Sequence, residues 1–198
     1  MADHSTTDVP EQPAAQGAGP ELERRYFLDV ARPRHSAGAL MALIQQDVPS
    51  FSPAALADFE PHQQQPGQLR VGDEFYIKIL GPWDGGVRVA AAGPDSFELV
   101  TLEGHPEAGR IRFEVLVPDG QPDVLRFQIH SWARSRDGVV AFVYDTLGGG
   151  RLMQEATWVE FCRRVAQASG GQALGPVTID TIRRQPGQPA EHTRHYAA

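Results

Sequence analysis

The spacing of apolar residues along the chain changes several times, and each change predicts a different element. In RRYFLDVA, Tyr26, Leu28 and Val30 alternate with Phe27 and Asp29, which predicts a first strand buried on at least one face and ended by Pro33. Ser36 has the chemistry of an N-cap for a helix carrying Leu40, Leu43, Ile44 and Asp47, with Pro49 as its stop. Ser52 and Pro53 repeat the signal for a second short helix, whose Leu56 and Phe59 face the core before Pro61. From Leu69 to Tyr144 the period becomes two. Phe75, Ile77 and Ile79 alternate with Tyr76 and Lys78; Val87, Val89 and Ala91 follow the PWDGG turn; Phe97 leads to Leu102; Ile111, Phe113, Val115 and Val117 form the next run; Leu125, Phe127 and Ile129 the next; and Val139 to Tyr144 the last. Short alternating runs separated by Gly, Pro and Asp predict an antiparallel meander.

The period then returns to that of a helix. From about Arg151 to Ala168, Gln154, Trp158, Phe161, Cys162 and Val165 make one stripe, and Gly170-Gly171 ends the element. At 1.5 Å per residue it is roughly 27 Å long, enough to cross a sheet. The expected organisation is one α+β domain over 21–169. Residues 1–20, rich in Ala, Gly and Pro, have too little large apolar surface to offset the entropy of ordering and read as a disordered tail. The tail 170–198 is Gly/Pro-rich, with strand character over 177–182 alone, an optional edge strand.

The stretch TLEGHPEAGRIRFEVLV, 101–117, joins two strands through a tight polar turn. Gly104 and Gly109 supply backbone freedom, and Pro106 holds His105 extended. A histidine in such a turn titrates near working pH and can act as a general acid or base; the plainer reading is that it caps the turn by a backbone hydrogen bond.

Composition narrows the classes. A net charge of −7 argues against a polyphosphate-binding surface, so nucleic acid is not expected as a partner. Lys78 is the chain's one lysine, and the arginine bias reads as the mark of a GC-rich genome. Cys162 is the single cysteine, which leaves no intrachain disulfide and no cysteine-based zinc site, and fits a reducing cytoplasm. There is no apolar signal core and no run long enough to span a membrane. His192 and His195, three apart in the tail, do not make a metal site without further ligands, and no cofactor motif occurs.

The order of one strand, two short helices, a meander and a long last helix resembles the helix-grip fold of the START and birch-pollen-allergen type proteins. That resemblance implies a curved antiparallel sheet of about seven strands wrapped on the C-terminal helix, with an apolar cavity between them. A second resemblance covers roughly residues 70–168. Thr101, Leu102, Gly104, His105, Pro106, Glu107, Gly109 and Phe113 look like the signature of the bacterial and plant family called domain of unknown function 1990, and Gln154 also matches. Arg110 and Ile111 stand where that family is acidic, Glu103 where a Pro is usual, and IHSWARS retains only Arg134 of a later aromatic-Ser-Arg-Pro stretch. The family brings no established activity.

Two function classes follow. A binding module for a small or medium hydrophobic molecule needs only the cavity, with Tyr76, Trp132, Trp158 and Phe161 as candidate lining. An enzyme of the cyclase, aromatase or hydrolase type needs convergent polar groups as well, for which His105, Arg134, Tyr144 and Asp145 are the candidates. A protein-interaction domain would instead show a filled interior and an exposed apolar patch. His130 is expected to point away from the interior, since Leu125, Phe127 and Ile129 take the inner face; Cys162 is expected to be a small core residue, and the three glycines 148–150 a hinge rather than an anion site.

Overall fold

Strand β1 (Ala18–Ala31) runs through the middle of the sheet although it comes first in sequence. Tyr26, Leu28 and Val30 are buried as their alternation requires, and both strand edges are paired, with β7 (Val124–Ser135) on one side and β8 (Gln172–Ala173) and β9 (Val177–Arg184) on the other. The computed structural model describes residues 9–62, 67–79, 84–137 and 149–197. The remaining strands are β2 (Ala57–Pro61), β3 (Glu74–Ile79), β4 (Gly85–Ala92), β5 (Ser96–Thr101), β6 (Glu107–Leu116) and β10 (Glu191–Ala197). Together they form one open antiparallel sheet in the order β10-β9-β1-β7-β6-β5-β4-β3-β2, with β8 also on β1. Among the described residues there are ten strands rather than about seven.

Helix α1 (Ala37–Gln46) begins where Ser36 Oγ accepts from the Ala39 N–H at 3.3 Å. It buries Leu40, Met41 and Ile44, while Leu43 faces outward. Pro49 does not stop this helix. Asp47 accepts from the Ser50 N–H and caps a single turn, α2 (Val48–Phe51), in whose first positions a proline has no N–H to lose. The second helix expected from Ser52 to Pro61 is absent. Ser52 Oγ donates to the Ala57 carbonyl at 2.6 Å, and 57–61 pair with β3 instead, Phe59 opposite Ile77. Phe59 is buried either way; five residues are too few for period two to be told from period 3.6, and the edge of β3 supplies backbone partners that a short helix lacks.

Helix α3 (Gly149–Ser169) packs on one face of the sheet through Trp158, Phe161, Cys162 and Val165, all buried. Phe161 touches Phe113 and Phe127 of the sheet, with ring centroids 5.3 and 5.7 Å away, and Phe51 of α2 at 5.8 Å. Arg164 donates to the carbonyls of Ser50 and Ser52, joining α3 to the segment that leads into β2. The far edge of the sheet thus returns to the helix that its centre covers.

Residues 10–12 and 18–20 near one end, and β8 to β10 at the other, pair with the rest of the sheet, and the strand character read over 177–182 falls within β9. Gln12 N–H donates to the Thr101 carbonyl and Glu103 N–H to that of Pro10, so residues 10–12 lie along the end of β5. At the other end β9 pairs seven residues of β1, and β10 covers β9 in turn. Neither segment has the apolar content to order alone; both are held by backbone pairing to strands that the core already fixes.

Candidate functional site

Inward-facing rows of the sheet explain where space arises. In one row Tyr26 lies beside Ile129, Ile129 beside Phe113 and Phe113 beside Phe97, the two phenyl rings stacked at 4.6 Å. One pair further along, Ile111 opposes Ser131; one further still, Gly109 opposes Ala133. Large residues give way to small ones, and among its described side chains α3 supplies Gln154, Thr157 and Trp158 at that level. The result is a cavity of about 80 Å³ between sheet and helix. Its apolar wall includes Phe59, Ile77, Val87, Leu99, Ile111 and Trp158. Residues from β2 to β7 all reach it, and six strands spaced ~4.8 Å apart can share so small a space only if the sheet curls around it.

The polar end is built from the turn between β5 and β6. Gly104 has φ 96°, as the turn requires, and His105 is 6% exposed. The Glu107 N–H donates to His105 Nδ1 at 3.0 Å. The Glu107 carbonyl oxygen lies at the same 3.0 Å from Nδ1, so the Glu107 backbone meets this nitrogen in either tautomer, donating to it when it is bare and accepting from it when it carries the proton. Burial lowers the His105 pKa, Glu107 opposing the shift. The backbone of the turn is tied down from outside by Gln12, whose Nε2 donates to the carbonyls of His105 at 2.9 Å and Glu107 at 3.0 Å and whose Oε1 accepts from the Gly104 N–H.

Two residues beyond His105, Glu107 lies on the same face and lines the same cavity. Gln154 Nε2 donates to Glu107 Oε2 at 2.9 Å, and Arg24 of β1 donates to Gln154 Oε1. Arg24 therefore sets the orientation of the amide, and the amide that of the carboxylate. Thr157 and Ser131 add hydroxyls to the wall.

The candidate residues divide. His105 and Trp158 line the cavity. Phe161 lies in the core beneath it. Tyr76 is 41% exposed and Trp132 lies on the opposite face, under the Arg110 guanidinium at 4.8 Å and against His130 at 3.7 Å, so neither is lining. Arg134 also belongs to that outer face, 3.7 Å from Glu21. Alternation had already excluded Tyr76, Trp132 and Arg134 once Ile77 and Ile129 faced inward; the aromatic and cationic character of these residues outweighed their register. Tyr144 and Asp145, with the strand expected over 139–144, lie outside the described residues. His130 is outward as expected, its Nε2 3.0 Å from Glu23. Glu107 and Gln154 were motif positions without an assigned role, and the i, i+2 spacing from His105 was the signal for the first. Among the described residues no group of three or more His, Cys, Asp or Glu is placed to hold a metal ion, and no helix is long and apolar enough to cross a membrane.

The family profile of the domain of unknown function 1990 matches residues 44–166, more than half of the chain, and includes both the β5–β6 turn and most of α3. The chain belongs to this family. In this DUF1990 protein the sheet gripping a C-terminal helix is the helix-grip fold. Norcoclaurine synthase from Thalictrum flavum superposes with a TM-score of 0.52 at 12% identity, over 85% of this chain and 94% of that one. The same enzyme in complex with dopamine and hydroxybenzaldehyde gives 0.50 at 12%, over 78% and 90%. A hypothetical protein from Helicobacter pylori gives 0.51 at 10%, over 73% and 86%. Identities this low show a shared fold and nothing finer. No curated protein sequence matches the chain.

Proposed function

We propose that this protein binds one small, largely apolar molecule in the cavity between the sheet and α3. The observation that carries the reading is the coincidence of void and polar groups: the space opens where the rows shrink to Ser131, Ala133 and Gly109, and His105, Glu107, Gln154 and Thr157 meet its apolar wall there. A buried water needs ~10–15 Å³ of such space, so the cavity takes several waters or a compact ligand. A lipid or polyketide-sized molecule would require α3 or the β2 edge to move outward, and the size class is accordingly small. An interaction-only role has less support, because the interior is not filled. A single buried cysteine fits a reducing cytoplasm, which cell fractionation would test.

The test is a thermal-shift and native mass spectrometry screen of compact apolar molecules against the wild type and Ala133→Leu, which fills the void from the sheet side. Stabilisation of the wild type that Ala133→Leu abolishes is the expected result. Equal shifts in both proteins would move binding elsewhere.

A second reading, catalysis on the same ligand, draws on two titratable side chains meeting in one cavity. With Nδ1 held against the Glu107 backbone, the tautomer protonated at Nε2 presents a donor suited to polarising a carbonyl, and the Glu107 carboxylate is then the available base.

A further inference from the structure

Among the described residues, the Glu107 carboxylate is held at the cavity without a cation. Its Oε2 accepts from a neutral amide, Gln154, at 2.9 Å, and among the described residues no basic side chain forms an ion pair with it. Among the described residues, the nearby positive groups are turned to other partners. Arg24 donates to Gln154 Oε1; Arg110, whose backbone borders the same space, places its guanidinium over Trp132 on the opposite face of the sheet; Arg136 donates to the Gly104 carbonyl and pairs with Asp137. His105 is neutral at pH 7 because burial disfavours its charged form. A carboxylate taken partly out of water is costly unless a charge or several donors compensate it.

We infer that the ligand supplies the missing charge: the site takes a compact organic ammonium, an apolar body against Trp158, Leu99 and Ile111 with a protonated amine on the Glu107 carboxylate. This deepens the binding reading given above and rests on it. The amide of Gln154, fixed by Arg24, leaves Glu107 Oε1 without a partner among the described residues, and that oxygen is the docking point. Trp158 adds an aromatic ring to the same cavity, a second group that favours a cation over an anion. An anionic ligand would meet the carboxylate as a like charge, and a neutral one of the same shape would leave it uncompensated.

Three probes of one shape test this: isobutylamine, isobutanol and isobutyrate, titrated at pH 7 while the Trp158 indole N–H resonance is followed, assigned with Trp158→Phe. The expected order is isobutylamine tightest, at least tenfold over isobutanol, with isobutyrate producing no shift. Glu107→Gln is expected to remove the tenfold preference while isobutanol binding stays within about twofold. If isobutanol or isobutyrate binds the wild type as well as the amine does, the ammonium inference is overturned and the cavity reading stands. Failure of all three probes to move Trp158 sinks both. The wild-type series decides the matter even if Glu107→Gln does not fold.

Discussion

A Cβ atom added to Gly109 would lie 2.1 Å from the carbonyl oxygen of Trp132, the residue beside its cross-strand partner Ala133. The requirement for glycine at this position is one of close approach between β6 and β7 more than of backbone angle, since φ is 159°. Gly109→Val must push the two strands apart at the cavity and is expected to cost ~3 kcal/mol or more, at the upper end of overpacking effects. Gly104→Ala meets nothing within 4 Å and carries only the cost of a left-handed residue, about 1 kcal/mol. Chemical denaturation of the two variants checks the order; equal losses would place the constraint at Gly109 in the backbone angle alone.

Trp158 meets Phe113 edge-on, with centroids 5.8 Å apart and planes at 72°. Trp158→Ala removes a ring that is 9% exposed and bridges core and cavity, so a loss of ~3–5 kcal/mol is expected from denaturant unfolding. A loss below ~1 kcal/mol would mean that the helix is not anchored there.

His105 makes the fold sensitive to mild acid. Burial lowers its pKa below the ordinary 6.5, so the unfolded chain binds the proton more readily; the stability contributed is full above pH 6.5 and is lost as pH falls towards the folded-state pKa. His130, also lowered by burial with Glu23 opposing the shift, acts in the same direction. Glu23 and Asp180 have lowered values as well, but their contribution disappears only below the carboxylate range. Stability is therefore expected to fall between pH 7 and 5.5, by at most about 1.4 kcal/mol per pH unit for each imidazole. His105→Asn, whose side-chain oxygen can still accept from the Glu107 N–H, should make the pH dependence shallower. An unchanged slope would remove His105 from the account.

Cys162 is fully buried on α3, and burial pushes its thiol pKa upward. Labelling by Ellman's reagent should follow global unfolding, with native protein unreactive over hours and denatured protein reacting at once. Rapid labelling under native conditions would show that α3 leaves the sheet far more readily than its packing implies.

Most of the sheet and the last helix were legible because each carries its period over enough residues: the run from Leu125 to Ile129 and the stripe Trp158, Phe161, Cys162, Val165 have one solution each. The segments that failed were those in which tertiary pairing overrides local signal. Phe59 sits in five residues that read equally as helix or strand until β3 is beside them. Gln12 and the β10 residues are polar, and nothing local distinguishes them from a solvated tail. At the cavity, His105 and Trp158 were named from residue type together with position, and both line it; Tyr76, Trp132 and Arg134 were proposed on residue type against the alternation of their own strands. Glu107 was missed although it shares a face with His105, because the pairing that matters, with Gln154, joins positions 47 residues apart.

The most direct test of the central claim, that α3 and the curled sheet enclose a ligand-sized void beside His105 and Glu107, is a crystal structure under xenon pressure. An apolar cavity of this kind takes up the gas, and its anomalous signal locates the void without any assumption about the natural ligand. The account predicts a xenon peak bounded by Trp158, Leu99 and Ile111 in the wild type and its loss in Ala133→Leu. Side chains filling that space, with no peak between sheet and helix, would contradict it.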